Sequence, residues 1–269
     1  MTDVKSSLSS TPSFRLERRS LELRFRSVEL TRREWVTPSY VRVRLSGDDL
    51  RGFDSPGADD HIRVFFPGSA PGSVEQLREA PSREYTPLAW DADAGWLDLE
   101  FAVHGGASGA GVAAAWAASA PLGSPAGVGG PRGSLIVAGR PDGWFLAGDE
   151  TAVPALRRFA RSMDAGAVGR VVIEVAGPGH ELPVDAPAGV RVEQVHRGSA
   201  PAGAALAARL DALTVDDRPS GDVFAFVAAE QSIVKSGRAL LMDRWGLDAD
   251  RVVVKGYWKR GDTEYHAAH

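Results

Sequence analysis

Arg83-Glu84-Tyr85-Thr86-Pro87 gathers a fixed cation, an aromatic plane and a hydroxyl into five residues. In an extended strand, side chains two apart face the same way, so Arg83 and Tyr85 share one side while Thr86 turns toward the other. A guanidinium fork can clamp a pyrophosphate, a phenol ring can lie along a ribityl chain or an isoalloxazine, and a threonine hydroxyl can hydrogen-bond the ring's reactive nitrogen. The combination suits a flavin, with Tyr85 and Thr86 nearest the reacting ring. The same residues also read as an ordinary strand whose proline marks a sheet edge.

Two further stretches carry chemistry. His104-Gly105-Gly106-Ala107-Ser108-Gly109-Ala110-Gly111 runs into an alanine-rich segment, 112–120, that contains Trp116. Glycines let backbone amides approach an anion and a helix N-terminus adds a favourable dipole, so a pyrophosphate fits here; a flexible loop before a packed helix explains the residues equally well. Trp144-Phe145-Leu146-Ala147-Gly148-Asp149-Glu150-Thr151-Ala152 reads as a strand entering a helix. Asp149, Glu150 and Thr151 either cap that helix or meet the nicotinamide end of a reduced dinucleotide. The chain lacks a G-x-G-x-x-G fingerprint, so a dinucleotide would be held differently from a standard Rossmann site. Glu174 and Glu181, near the second strand of this region, lean toward NADH because an acid there repels a 2′-phosphate. Arg132, in the turn Gly130-Pro131-Arg132-Gly133, points either into a pocket or into water.

The elements that position these residues fall into two patterns. From Leu21 the hydrophobic period is two, with strands expected at 21–28, 39–46, 61–66, 83–90, 95–103 and 134–138 joined by Gly/Pro turns, which suggests a small antiparallel barrel. The turn-rich connection 67–82 is expected to cover part of its rim. Beyond Gly139, apolar β-branched strands at 143–147, 170–176, 190–195, 222–228 and 251–257 alternate with helices at 151–163, 202–213 and 231–245. That order implies a mostly parallel α/β sheet, which binds ligands at the carboxyl ends of its strands. Residues 1–20, rich in Ser and Thr up to about Phe14, are expected to be a disordered tail; the two domains then span 21–139 and 140–269.

A 269-residue chain with 43% hydrophobic and 25% charged residues is that of a soluble globular protein. No apolar run approaches a membrane span and the first twenty residues lack a signal-peptide core, so the expected site is cytoplasmic, without stable membrane association. The absence of cysteine excludes disulfides, thiolate nucleophiles and iron–sulfur clusters, leaving any redox chemistry to a bound organic cofactor. A net charge of −4 argues against nucleic acid as a partner. Nine arginines against four glutamates between Arg15 and Leu45 alternate with apolar residues and read as a solvated barrel face. The six histidines form no metal-ligand pattern, and His266 and His269 belong to the C-terminal tail. A monomer is expected.

A barrel carrying R-x-Y-T-P and a glycine-rich loop, followed by an α/β region, resembles the ferredoxin-reductase-like flavoproteins. Gly130-Pro131-Arg132-Gly133, the segment from Gly148 to Ala155 and Gly256-Tyr257-Trp258-Lys259-Arg260-Gly261 narrow this to a resemblance with the siderophore-interacting protein family of ferric-siderophore reductases, over residues 20–265. The resemblance implies a six-stranded antiparallel FAD-binding β-barrel followed by an NAD(P)H-binding α/β domain. It implies FAD as cofactor, NADH or NADPH as electron donor and a ferric siderophore as substrate. On this footing Arg83, Tyr85 and Thr86 hold FAD, His104, Gly105, Gly109, Gly111 and Val112 line its phosphates and ribityl chain, and Trp116 packs behind. Glu150 and Thr151, beside Asp149, border the nicotinamide. Arg63, Arg132, Lys259 and Arg260, with Lys255, contact the anionic substrate, and Tyr257 and Trp258 either close one side of the flavin or pack at the end of the last strand. The sequence departs from the family's habit at Leu88, where a basic residue often follows T-P, at Arg63, where lysine is common, and in the lengthened interval 104–116. A general NAD(P)H:flavin or quinone reductase of the same plan, and a siderophore-binding protein that has lost the flavin, are the alternatives.

Overall fold

The computed structural model describes residues 12–103, 111–262 and Tyr265. Seven N-terminal strands form one antiparallel sheet: β2 (Phe25–Thr37), β3 (Tyr40–Ser46), β4 (Ile62–Phe65), β5 (Ser82–Tyr85), β6 (Ala89–Asp91), β7 (Trp96–Ala102) and β8 (Pro125–Gly129). Their spatial order is β5-β4-β8-β2-β3-β7-β6. The two-residue period works as expected on its inner face, where Val41, Val43, Leu45, Leu97, Leu99 and Phe101 are fully buried. Two details differ from the sequence reading. The single strand expected at 83–90 is cut at Pro87, which has no N–H to give a ladder, and this yields the extra short strand β6. The Gly-rich β8 takes the place between β4 and β2; its small residues muted the alternation, although Ala126 and Val128 are buried.

The tail expected at 1–20 ends earlier. Residues Phe14–Ser20 form β1 and pair along their whole length with β9 (Gly133–Gly139), so the strand foreseen at 134–138 sits in a separate two-stranded ribbon. Phe14 is buried against Phe224 of the α/β half, which anchors a segment whose Ser and Arg content hid its role. Two short helices complete the barrel half, α1 (Val74–Arg78) and α2 (Val112–Ser119). Arg33 of β2 donates to the Ala117 and Ala120 carbonyls, satisfying acceptors that the end of α2 would otherwise leave open.

The C-terminal half is a five-stranded parallel sheet of β10 (Gly143–Asp149), β11 (Val168–Val175), β12 (Gly189–His196), β13 (Val223–Glu230) and β14 (Val252–Trp258), in the order β12-β11-β10-β13-β14. Helices α3 (Val153–Ser162), α4 (Ala204–Ala212) and α5 (Ile233–Arg238, continued by a π-helical stretch Ala239–Arg244) cover its faces through two apolar clusters. Because β11 and β13 leave β10 on opposite sides, the switch point of this sheet lies at the ends of β10 and β13. Among the described residues no helix is long and apolar enough to cross a membrane.

The two halves meet through α3. Glu100 of β7, whose side chain has no solvent exposure, accepts from Arg157 of α3 at 2.5 and 2.6 Å and from Arg42 of β3 at 3.0 and 2.7 Å. The Tyr40 hydroxyl lies 3.2 Å from Glu100 and 3.0 Å from the Glu150 carbonyl. Arg158 donates to Ser55 and to the Pro87 carbonyl, and Arg161 donates to the Leu88 carbonyl at 3.0 Å. Burial lowers the pKa of Arg158 to about 10, against the pull of Asp60 and Asp59. Buried charges are tolerated only when fully paired, so removing one partner is costly. Arg157→Ala is expected to lower the unfolding free energy by about 3–5 kcal/mol in urea titration, whereas Arg15→Ala, in an exposed pair with Glu17, changes it by less than about 1 kcal/mol. Equal effects of the two substitutions would contradict the central role of Glu100.

Candidate active site

Cross-strand register decides what the R-x-Y-T-P strand presents. Tyr85 stands opposite Ile62 and Arg83 opposite Val64, so both face the inner side of β4 and β5, while Arg63 and Glu84 stand opposite each other on the outer side. The Tyr85 ring packs against Phe101 with centroids 4.2 Å apart and meets the edge of Phe66 at 6.3 Å. Tyr85 is half-buried against the barrel core, and the desolvation this brings pushes its pKa up, so it remains a neutral hydroxyl. Thr86 is buried, beside the Tyr257 phenol. Arg83 donates to the Ser82 carbonyl at 2.7 Å and forms no ion pair with a described residue.

Helix α2 packs on the same part of the barrel core as Tyr85, since Phe66 touches both Tyr85 and Trp116, the latter at 5.3 Å. Gly111 is its N-cap, no side chain among the described residues accepts from its first amides, and no acid occupies its first turn. A Cβ built at Gly111 would meet nothing within 4 Å. Uncapped amides beside open space, with an arginine free of carboxylate partners on the neighbouring motif, fit a dinucleotide pyrophosphate. Val112 is half-buried and Trp116 packs into the barrel core. His104, Gly105 and Gly109 lie outside the described residues.

At the carboxyl ends of the parallel strands, the capping alternative describes two of the three residues singled out. Asp149 accepts from the Thr151 amide at 2.9 Å, the Thr151 hydroxyl at 2.5 Å, the Glu230 amide at 3.1 Å and the Trp258 indole at 2.8 Å. Glu150 differs. It is buried, and although Arg197 Nη1 approaches its Oε1 to 2.6 Å, the contact is not directed along a hydrogen bond. Burial and the Asp149 charge outweigh Arg197 and raise the Glu150 pKa to about 7. Glu174 is fully buried and caps α4, accepting from Gly203 and Leu206 amides at 2.6 and 2.8 Å, and Glu181 pairs with His196 at 2.9 Å. Glu174, spent on these amides, is thus removed from contact with a 2′-phosphate, while Glu181 stays at the surface.

The five cations expected to touch substrate separate. Arg63 and Arg132 line one cavity of about 620 Å³ on the outer side of β4 and β5, together with Arg24, Arg78, Phe25 and Phe65. Arg63 donates to Ser82 Oγ at 3.3 Å and to Glu84 at 3.1 Å within it. Lys255 lies outside that lining, paired with the buried Asp59, which also receives the Tyr257 hydroxyl. Arg260 donates to the Ala202 carbonyl at 2.9 Å, and Lys259 pairs with Asp262 through the backbone, as an isolated β-bridge, both beyond the cavity. Tyr257 and Trp258 therefore do more than pack: each ties the end of β14 to a buried carboxylate. Arg24, Phe25 and Arg78 escaped the sequence reading because the first two sit in the arginine-alternating stretch read as a solvated face. Arg78 lies in the connection 67–82 that was read only as a rim. Among the described residues no cluster of His, Asp and Glu is arranged to hold a metal ion.

Residues 29–135 match the model of the siderophore-interacting FAD-binding domain and residues 141–261 that of the siderophore-interacting protein. The chain is 32% identical over 257 residues to ferric vibriobactin reductase of Vibrio cholerae, covering 90% of this chain and 92% of that one. It is 31% identical over 266 residues to the NADPH-dependent ferric-chelate reductase of Escherichia coli, covering 93% and 99%. A crystal structure of a siderophore utilization protein from T. fusca superposes with a TM-score of 0.81 at 30% identity, covering 93% of this chain and 98% of that one.

The raised pKa of Glu150 makes a prediction whose sign is fixed by linkage. The folded protein holds this proton to a pKa of about 7 while the unfolded chain releases it near 4.5, so stability is lost as pH rises through that window and levels off above it. The contribution amounts to about 3 kcal/mol. Glu150→Gln is expected to remove most of that pH dependence, read as the difference in urea unfolding free energy between about pH 5 and about pH 8. Parallel profiles for the two proteins would refute the assignment.

Proposed function

The chain belongs to the siderophore-interacting protein family, and we propose from its own residues how it carries out ferric-siderophore reduction. It is a flavin-dependent reductase in which FAD, when bound, takes a hydride from a reduced nicotinamide nucleotide and passes electrons singly to iron(III) held in a siderophore. Hard oxygen ligands favour the more highly charged ion, so reduction loosens the cage and frees iron as iron(II). Residues 21–139 form the FAD-binding unit and 140–269 the nucleotide-binding unit of this reading, and the protein works as a cytoplasmic monomer.

The observation that carries the assignment is the division of labour on β5. Its inner side carries Arg83 and Tyr85, and its outer side carries Glu84 opposite Arg63 at the rim of a cation-lined cavity. In this reading Arg83 and the α2 amides from Gly111 and Val112 hold the FAD pyrophosphate, with His104, Gly105 and Gly109 contributing from the preceding loop. Tyr85 supports the ribityl side, and Thr86 offers its hydroxyl to the ring, oriented by the Tyr257 phenol. The 149–151 turn borders the nicotinamide at the switch point, with Asp149 and Thr151 setting the turn and Glu150 facing Arg197. Arg63 and Arg132 face the ferric chelate. Lys255, Lys259 and Arg260 act at its outer approach.

An anaerobic absorbance experiment tests the reaction. Purified FAD-loaded protein is mixed with NADH or NADPH and then with a ferric siderophore and an iron(II) trap; bleaching of the flavin bands, their return and trapped iron(II) are expected. A flavin that bleaches but returns only with quinones or free flavin would identify a general reductase, and a protein that cannot be loaded with FAD would identify a binding protein. For the clamp, Arg83→Ala is expected to raise the FAD dissociation constant about 10-fold to 100-fold, the range of one lost charge-assisted contact. An unchanged value in flavin titration would remove Arg83 from the site.

A further inference from the structure

The two aromatic residues that end β14 differ in one chemical respect. Trp258 gives its indole N–H to Asp149 at 2.8 Å, and an indole nitrogen only donates. Tyr257 gives its hydroxyl to Asp59 Oδ1, and a phenol oxygen both donates and accepts. Lys255, two residues earlier on the same strand, faces the same way and gives its ammonium to Asp59 Oδ2. Asp59 belongs to the turn before β4, so these contacts cross from the α/β half to the barrel. Its side chain is 4% exposed and that of Lys255 is 27% exposed, which places the ammonium where the cluster meets water. Arg158 adds a second positive charge near this carboxylate.

Hydrogen-bond direction in this cluster is fixed from the carboxylate outward. Asp59 receives an ammonium on one oxygen and a hydroxyl on the other, so Tyr257 gives its proton to Asp59 and its oxygen is left to accept. Thr86, buried beside that phenol, carries the hydroxyl that can donate to it. The Thr86 oxygen is then open to accept in its turn. Burial, followed by the Asp59 charge, holds the Tyr257 phenol well above the ordinary tyrosine range, so it takes up one proton as it gives up another rather than resting as a phenolate. An edge contact with Phe226, centroids 6.4 Å apart, steadies the ring. Thr86 Oγ1, Tyr257 Oη and the Asp59 carboxylate thus make one polarised line from the R-x-Y-T-P motif toward Lys255.

We infer that Thr86, Tyr257 and Asp59 form the path by which a proton leaves the reacting ring. The inference rests on the reductase reading, with the Thr86 hydroxyl at the ring's reactive nitrogen, and it adds the route. The balance of the reaction demands an exit: one reduced nicotinamide and two iron(III) give one oxidised nicotinamide, two iron(II) and one proton, because both electrons of the hydride go to iron. Thr86 accepts that proton from the ring nitrogen as its own passes to Tyr257, the phenol proton passes to Asp59, and the carboxylate releases it to water beside Lys255. Rotation of the two hydroxyls then restores the starting arrangement. Thr86 is the residue that touches the ring; Tyr257 and Asp59 act through it as positioning residues. Trp258 cannot serve, since its indole nitrogen does not accept, and Asp149 already receives four donors.

Hydrogen exchange at the reacting nitrogen tests the path without turnover. FAD carrying a heavy isotope at that nitrogen is loaded into the protein and reduced with dithionite in the absence of nucleotide and chelate, and exchange of the attached hydrogen with solvent is followed by magnetic resonance. Tyr257→Phe, which keeps the ring against Phe226 and removes only the hydroxyl, is expected to slow the exchange at least about tenfold. Asp59→Asn, whose amide oxygen still accepts from Tyr257 but takes up no proton, is expected to slow it by a similar factor, and it decides the matter should the first variant lose its flavin. In turnover the loss is expected in reoxidation by ferric citrate, about tenfold, rather than in bleaching by NADH or NADPH. A merely structural role would lower the urea unfolding free energy and leave the exchange unchanged or faster. Exchange at the original rate in both variants, including the case in which only Thr86→Val slows it, would overturn the path while the reductase reading stands. Failure of the unaltered protein to take up FAD, or FAD that neither nucleotide bleaches, would overturn the underlying reading and the inference with it.

Discussion

Everything in the site depends on a buried carboxylate, Glu100, that belongs to the barrel and is neutralised from the α/β half. Its side chain is sealed from solvent and would be a heavy liability alone; Arg157, Arg42 and Tyr40 together satisfy it. The same Tyr40 hydroxyl touches the Glu150 carbonyl, so the pin that joins the halves also positions the turn at the end of β10. One helical turn of α3 then secures the other side, because Arg158 and Arg161 hold the carbonyls of Pro87 and Leu88, directly after the R-x-Y-T strand. The proline matters here: a residue without an N–H ends the ladder and leaves its carbonyl free to be claimed from across the interface.

This arrangement explains how one short strand can serve two ligands. β5 ends the sheet, paired on one side only, and its neighbour β4 dictates by register which side chains go inward. Inward-facing Tyr85 becomes part of the barrel core and is rigid, while outward-facing Glu84 and Arg63 remain at a solvent-accessible rim. An edge strand normally exposes unpaired backbone; here its end is covered by α3 and β14, with Arg158 on the Pro87 carbonyl and Thr86 beside Tyr257.

Much of the fold was legible because both hydrophobic periods are strong. The β10–β14 series reads as apolar strands between helices, and β3 and β7 alternate cleanly, so barrel and parallel sheet follow from side-chain spacing. What stayed hidden has physical reasons. Glu100 sits in an alternating strand where a polar residue ordinarily faces water; only the approach of α3, a tertiary event, buries it. β8 contains two glycines and a proline, leaving little side chain to show a period, and β1 carries arginines on its exposed side. At the site, residue types were readable before their partners were: Arg63 and Arg132 converge, but Asp149 and Glu174 turn out to be spent on backbone amides, as capping chemistry allows for an acid at a helix start, and the Thr151 hydroxyl donates to Asp149.

The distribution of paired cations separates the two ligand regions more sharply than their residue types do. At the carboxyl ends of the parallel strands Arg197 rests against Glu150 and Glu174, and Lys255 against Asp59. A ligand there must compete with a carboxylate already in place, so shape and backbone amides carry more of its recognition than raw charge. On the outer side Arg78 and Arg132 have no such competitor, and their field acts on the first anion to arrive. Charge alone therefore marks the outer side of β4 and β5 for an incoming anion more strongly than the carboxyl ends of the parallel strands, where Arg197 and Lys255 already face carboxylates.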